Sequence, residues 1–268
     1  MLLAVLQAEA AVLEPEENLR RIAASAAAAA EAGAELLLTP ELFPVGYAPA
    51  RVRAELDPQL LPELAARLAG IARDHRIALV YSLPAVGPDG RWRITATLVD
   101  SGGRTVLEYA KVHLFGSEER AAFVPAEEPP AVAEWNGVRT ALLVCYDVEF
   151  PEAVRAAADR GAELLLVPTA LADGFESVPQ VLVRARALES QLVIGYANHS
   201  GTEEGEHFLG GSVVVGPEGE LLAQAGPADE LLFASVDPHA AAAARGRVPY
   251  LRERRPELYR RWEQQPRG

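Results

Sequence analysis

Short, continuously apolar runs alternate along this chain with longer segments in which apolar residues return every three or four positions. The first kind predicts buried strands and the second predicts helices lying on a sheet. Leu2 to Ala8 is such a run and predicts a strand. Pro15 opens a helix with acidic residues in its first turn and Gly33 as its stop. Ala34 to Thr39 predicts the next strand, which ends in Pro40-Glu41. A helix from about Pro58 to His75 and a strand from Ile77 to Ser82 follow. Residues 91–99 and 104–110 alternate about Ser101-Gly102-Gly103, which reads as a hairpin. Beyond a loop at about 114–130, strands are predicted at Val132–Trp135 and Thr140–Val144, then a helix starting near Pro151, where a first-turn proline is tolerated. Strand Glu163–Val167, helix Pro179–Gln191 and strand Leu192–Ala197 come next. The last strands lie near 211–215, 220–224 and 231–236, the first two joined by Gly216-Pro217-Glu218-Gly219.

One segment is echoed. Gly33-Ala34-Glu35-Leu36-Leu37-Leu38-Thr39-Pro40 returns as Gly161-Ala162-Glu163-Leu164-Leu165-Leu166-Val167-Pro168. In both copies a helix ends at glycine and a buried strand ends at proline. Two such units suggest two pseudo-equivalent halves, each a sheet with helices on one face, packed sheet to sheet. The alternative is chance likeness between leucine-rich strands. At 268 residues, half of them hydrophobic, the chain suits one large α/β domain spanning 1–268.

Composition narrows the function. Net charge is −13, which argues against nucleic acid as a partner. The charge is uneven: residues 245–268 hold eight arginines against three glutamates, about +5, leaving roughly −18 on the rest. That basic segment is expected to pack on its own body or on a neighbouring subunit, with an anionic partner as the alternative. No apolar run is long enough for a membrane span. The first residues carry no basic, signal-like start, so a cytoplasmic protein is expected. A single cysteine excludes internal disulfides, and the five histidines show no ligand spacing, so neither a metal nor another cofactor is implied. Scarce Asn, Cys and Met beside abundant Pro and Arg fit a heat-adapted protein, or equally a GC-rich codon bias.

The 25 basic residues comprise 24 arginines and one lysine, Lys111. Arginine is a flat, permanently charged fork and lysine a compact ammonium, so a single surviving lysine points to a place where only the ammonium serves. Sites in α/β folds gather at strand ends. Glu41, Lys111, Glu119 and Cys145 all lie at such ends or in the loops beyond them. Cys145 stands where an apolar run stops just ahead of a helix, a position that presents a thiol on a sharp turn. The next amide, that of Tyr146, would then point at an oxyanion. Against this, a lone cysteine is commonly a small core residue. His113 is a further candidate, as the base of a Cys–His dyad or as a structural hydrogen-bonder.

Three separated motifs carry a family likeness: Thr39-Pro40-Glu41-Leu42-Phe43, Tyr109-Ala110-Lys111-Val112-His113-Leu114-Phe115 and Cys145-Tyr146-Asp147-Val148-Glu149-Phe150-Pro151-Glu152. Glu119, Gly195-Tyr196-Ala197-Asn198 and Arg254-Arg255-Pro256-Glu257-Leu258-Tyr259 support it. The chain resembles the nitrilase, or carbon–nitrogen hydrolase, superfamily over nearly its whole length. The resemblance implies a four-layer α-β-β-α sandwich and a Glu–Lys–Cys triad of Glu41, Lys111 and Cys145, with Glu119 as a second carboxylate. Glu41 would take the thiol proton, while Lys111 favours the thiolate and stabilises the oxyanion. A thioester on Cys145 would be hydrolysed by water activated at Glu41. Glu119 would hold Lys111 or orient the substrate.

Within that resemblance, Tyr146-Asp147 after the nucleophile looks like the amidase branches, where true nitrilases have Trp-Glu. A nitrilase or an acyltransferase on the same triad is the first alternative. A binding or regulatory protein is the second, disfavoured because a retired site has no reason to keep buried charges. Many relatives carry arginine where this chain has Glu149, so neutral or amino-bearing carboxamides are expected rather than acidic ones. The competing reading pairs Glu149 with Arg155. Tyr47 and Thr169-Ala170-Leu171 are expected pocket walls. Relatives associate through helices near the nucleophile and a C-terminal segment, so a homodimer or larger assembly is expected, with 245–268 at the interface.

Overall fold

The computed structural model describes residues 1–265; residues 266–268, the end of the basic segment 245–268, lie outside the described residues. The strands are β1 (Leu2–Gln7), β2 (Leu36–Leu38), β3 (Ala78–Val86), β4 (Trp92–Val99), β5 (Thr105–Ala110), β6 (Val132–Trp135), β7 (Val138–Leu142), β8 (Leu164–Pro168), β9 (Val193–Ala197), β10 (Thr202–Glu203), β11 (Glu206–His207), β12 (Val213–Val215), β13 (Leu221–Gln224) and β14 (Glu230–Ser235). The helices are α1 (Pro15–Glu31), α2 (Pro49–Glu55), α3 (Leu61–His75), α4 (Gly116–Ala122), α5 (Pro151–Asp159), α6 (Val183–Ser190), α7 (Ala240–Arg247), α8 (Tyr250–Glu253) and α9 (Pro256–Glu263). None of them is long and apolar enough to cross a membrane.

Two six-stranded sheets form the centre, ordered β14-β1-β2-β3-β4-β5 and β13-β12-β9-β8-β7-β6. Reading the second sheet from β6 aligns it with the first. Each then has one antiparallel edge strand, three parallel strands and two antiparallel strands. β2 and β8, the two copies of the echoed segment, are the middle parallel strands of their sheets. The repeat is therefore structural. Each parallel trio is wound with two helices, α1 and α3 in one half and α5 and α6 in the other. α1 packs on α3 and α5 on α6, while β1 meets β9 and β2 and β3 meet β8, which gives helices outside and sheets face to face.

The sheets close tightly because their inner faces are continuous aliphatic runs. Leu36, Leu37 and Leu38 are fully buried, as are Leu165, Leu166 and Val167. Gly195 on β9 sits where they come nearest. A Cβ there would lie 3.1 Å from Leu166, 3.2 Å from Leu3 and 3.3 Å from Leu38, so glycine sets the spacing at that point.

Boundaries shift for local reasons. The helix expected from Pro58 begins as a 3-10 turn over Pro58–Leu60, whose Gln59 N–H is taken by the Asp57 carboxylate at 2.9 Å, and α3 proper starts at Leu61. The expected helix Pro179–Gln191 opens with a wider π turn over Val178–Leu182 before α6. The expected loop at 114–130 contains α4, and α2, the β10–β11 hairpin and the three C-terminal helices add to the sequence reading. The described part of the basic segment lies against the second half. Arg245 donates to the carbonyls of Ala162 (2.5 Å) and Gln191 (3.3 Å), Gln191 donates to Val248 at 2.7 Å, and Arg254 pairs with Asp159 at 2.6 Å. Tyr250 and Trp262 remain 44% and 57% exposed.

Candidate active site

Four loops converge where the two halves meet. Glu41 follows β2, Lys111 follows β5, Cys145 lies three residues beyond β7, and Glu119 sits on α4. The Lys111 backbone continues the β4–β5 ladder, its N–H donating to Ile94 at 2.9 Å, so its side chain leaves a fixed frame. Its Nζ donates to Oε1 of Glu41 and to Oε1 of Glu119, both at 2.7 Å. All three side chains are enclosed. Oε2 of Glu119 accepts the Phe115 N–H at 2.8 Å, and Oε1 also accepts the Tyr47 hydroxyl at 2.5 Å. Oε2 of Glu41 meets no donor among the described residues.

Cys145 is the strained member. Its φ is +47°, in the left-handed region that a non-glycine residue enters only at a cost of about 1–2 kcal/mol. Such strain concentrates at functional sites. It opens a 3-10 turn over Cys145–Glu149. Amides in a first helical turn lack partners within the turn, which leaves the Tyr146 N–H available beside the thiol. The sulfur lies 4.0 Å from the Ala170 carbonyl.

Burial raises the Glu41 carboxyl, Lys111 pulls it down, Glu119 pushes it up, and the result is a pKa of about 7. Burial works against the Lys111 ammonium, but Glu41, the Cys145 sulfur and Glu119 outweigh it and hold its pKa above that of an ordinary lysine. Lys111 acts on the Cys145 sulfur in the expected direction, toward thiolate, but it is not the largest influence there. Burial and the Glu41 charge push the Cys145 thiol well above its ordinary range, and Lys111 opposes them without reversing the sign. Burial and Glu41 together favour the neutral thiol over the thiolate.

The thiol opens into a cavity of about 510 Å³. Tyr47, Tyr146, Glu149, Ala170 and Leu171 line it. Thr169 does not. It is fully buried, its hydroxyl donates to the Tyr196 hydroxyl at 3.0 Å, and its carbonyl accepts the Glu41 N–H at 3.1 Å, so it braces the site from behind. Glu149 is not paired with Arg155, whose Nη1 donates to the Glu189 carbonyl at 2.5 Å. The Glu149 carboxyl is half-buried and its pKa is raised by that burial, with Arg186 and Lys111 acting in the opposite direction. Five further glutamates (118, 119, 203, 204 and 206) line the cavity against one cation, Arg51. Arg51 is itself committed to Glu55 at 2.8 Å and Glu204 at 2.6 Å. Phe115, Tyr146 and Phe175 form edge-on contacts at 5.3 and 5.8 Å and give the mouth an apolar side.

His113 is structural. Its Nδ1 lies 2.8 Å from Oδ1 of Asp147, and its ring stacks on Phe150 at 3.8 Å. Asp147 is buried and also accepts the His113 N–H at 2.8 Å and the Tyr109 hydroxyl at 2.9 Å, tying the Lys111 loop to the turn that bears Cys145. Sequence reasoning missed this role for Asp147, as it missed His199 and Glu203. The signal available was a set of ionisable residues amid strand-end loops, which alone does not separate a brace from a solvated charge.

Residues 2–246 match the model of the carbon–nitrogen hydrolase family, and the chain belongs to that family. Among solved structures it is similar to the amidase from Nesterenkonia sp. AN1, at 50% identity and a TM-score of 0.91, with 98% of this chain and 99% of that one covered. That amidase has been solved as an E41Q variant with acrylamide added at the active-site cysteine, and as a C145A variant in complex with butyramide. A hydrolase in the pqqF 5' region of Pseudomonas protegens is 36% identical over 97% of this chain and 90% of its own length. An (R)-stereoselective amidase from Pseudomonas sp is 34% identical over 82% of this chain and 80% of its own.

Proposed function

We propose that the protein is an amidase that hydrolyses a small carboxamide to a carboxylate and ammonia through a thioester on Cys145. The observation that carries this reading is a strained thiol at the floor of a cavity, beside an enclosed lysine gripped by two carboxylates. The likeness to the Nesterenkonia amidase, with its adduct at the active-site cysteine, supports it.

The chemistry follows from the groups present. Sγ attacks the carbonyl carbon as its proton passes to Glu41, whose free Oε2 is available to receive it. Burial disfavours a free thiolate, so the base beside the sulfur is needed for attack. The oxyanion that develops meets the Lys111 ammonium and the Tyr146 N–H. Collapse breaks the C–N bond, Glu41 returns its proton to nitrogen, and ammonia leaves. Water then gives a proton to Glu41 and attacks the thioester, and the departing sulfur recovers the proton. Glu119 keeps Lys111 in place through the shared Oε1 contact. Tyr47 and Ala170 serve as pocket walls.

Glu149 reads substrate charge in this scheme. Its half-buried carboxyl, like those of Glu118 and Glu206 in the same lining, has no ion-pair partner among the described residues, which favours amides that are neutral or bear an amine over acidic ones. A chain with a single cysteine does not rely on disulfides, and we read the cytoplasm as its location. The exposed aromatic groups of 245–265 are read as part of a homodimer or larger interface. The test is ammonia and acid release from matched short amides and nitriles, with hydroxylamine added to reveal acyl transfer. Amides should be consumed with equimolar ammonia and acid. With hydroxylamine present, hydroxamate should appear at the expense of acid as the thioester is trapped. Preference for the nitrile, or no acid formed in water alone, would overturn the reading.

A further inference from the structure

At the back of the cavity, where Glu203 and Phe208 reach its wall, lies a second buried cluster with no part in the bond-making steps above. His199, two residues beyond β9, is fully enclosed, with ring centroids of Phe208 at 5.1 Å and Phe43 at 5.6 Å. Its Nε2 lies 2.7 Å from the Glu41 carbonyl oxygen and its Nδ1 2.6 Å from Oε1 of Glu203. A carbonyl only accepts, so Nε2 carries hydrogen. Glu203 already accepts the Ala10 N–H on Oε1 and the Tyr47 N–H on Oε2, each at 2.9 Å, so it is an ionised acceptor toward Nδ1 as well. With Glu203 ionised, both ring nitrogens donate and the pair is imidazolium and carboxylate. The Glu203 pKa is lowered, against burial, by the facing His199, which favours that form. Burial would strip the His199 proton, but the Glu203 charge reverses that and raises the pKa of the ring.

Two routes lead from this pair to the reacting groups. Glu41 belongs to the first sheet, yet both of its backbone polar groups are held by the second. Its N–H donates to Thr169, after β8, and its carbonyl accepts from His199, after β9. The other route runs from Glu203 to the Tyr47 N–H, from the Tyr47 hydroxyl to Glu119, and from Glu119 to Lys111 and back to Glu41. The contacts close a ring: His199, Glu203, Tyr47, Glu119, Lys111, Glu41. A buried ion pair is a weak source of stability compared with apolar packing of the same volume. What this pair supplies that apolar packing cannot is a fixed anchor for the Glu41 main chain.

We infer that His199 and Glu203 form a positioning pair for the reaction, registering the Glu41 carboxylate on the first sheet against the Cys145 thiol on the second. The inference rests on Glu41 being the base, so wild-type amide turnover is measured first; its absence would overturn both readings. With turnover established, His199→Gln and Glu203→Gln are compared with wild type. Displacement of a reacting group by a fraction of an ångström to an ångström predicts a fall in kcat on the order of 10- to 100-fold, with KM changed by less than about threefold. Folded variants with wild-type kcat, differing only in melting temperature, would make the pair merely structural and defeat the inference while leaving the amidase reading intact. If the variants do not fold, ¹⁵N-histidine NMR of the wild type and Glu41→Gln decides. His199 should keep both ring protons at pH 8, facing Glu203, Tyr47 and Glu41, and its Nε2 signal should move in Glu41→Gln. A neutral ring, or an unmoved signal, overturns the inference.

Discussion

The Nζ of Lys111 lies 2.7 Å from Oε1 of Glu41, with both side chains fully enclosed. One sheet's edge strand and its central parallel strand thereby place a cation and a base side by side out of water. Glu119 accepts a second hydrogen bond from the Lys111 ammonium, also at 2.7 Å. A compact ammonium fits this three-way contact, and a guanidinium fork does not.

Lys111→Arg should therefore keep the charge and lose the function. The larger head must displace Glu41 or Glu119, and the oxyanion loses its point donor. We expect kcat to fall on the order of 10²-fold or more, the scale of one missing oxyanion contact. Overpacking should also cost about 1–3 kcal/mol of stability. Near-normal turnover in this variant would mean that Lys111 is only a structural cation.

Activity should depend on the ionisation of Glu41, whose pKa is raised to about 7, chiefly by burial. The base must be a carboxylate, so kcat/KM should climb with pH and level off above about pH 7, falling about tenfold per unit on the acid side. The same shift acts on stability in the opposite direction. Between the unfolded value of 4.5 and about 7 the folded protein holds a proton that the unfolded chain has released, so the contribution of Glu41 to stability declines as pH rises through that window. A flat profile from pH 5 to 9 would remove Glu41 from the chemistry.

Glu149→Arg should reverse the charge preference of the cavity. At an effective dielectric near 20, one charge pair about 6 Å apart is worth roughly 3 kcal/mol, so the kcat/KM ratio for matched acidic and basic amides should move by about 10²-fold toward the acid. If that ratio stays within about threefold of wild type, Glu149 does not read substrate charge. A uniform loss on every substrate would instead mark it as part of the fold.

Much of this arrangement was legible in the sequence, because strong local signals carried it. The Leu36–Leu38 and Leu164–Val167 runs marked the central strands, and their echo marked the two halves. A lone lysine and a lone cysteine at strand ends marked the site. What stayed hidden depends on distance along the chain. α2 and α4 have seven residues each, too few for a helical period to emerge. Asp147 meets Tyr109 across 38 positions and His199 meets the Glu41 carbonyl across 158, so no spacing announces either contact. Thr169 was misplaced because β8 ends at Pro168 and the chain reaches the cavity only one residue after Thr169: Ala170 lines it, and the Thr169 hydroxyl bonds Tyr196.

The basic segment divides at Val248. Arg245 is held by two carbonyls of the second half, whereas Tyr250 and Trp262 are largely exposed. Removing 249–268 also takes away the Arg254–Asp159 pair and the packing of Leu251 on the core. It should reduce the size of the assembly by sedimentation, with a smaller fall in melting temperature than the longer deletion. Removing 245–268 should lower both. An unchanged assembly in the shorter deletion, or a wild type that is monomeric throughout, would count against an interface there.

The most direct measurement is ammonia release from a short primary amide by wild type and by Cys145→Ala, on proteins matched for folding by circular dichroism and melting temperature. Cys145 is the sole thiol in the chain, so no neighbouring sulfur can substitute for it. The wild type should release ammonia and acid in equal amounts, and the alanine variant should release none above background. Ammonia release by Cys145→Ala beyond trace contamination would contradict a thioester mechanism.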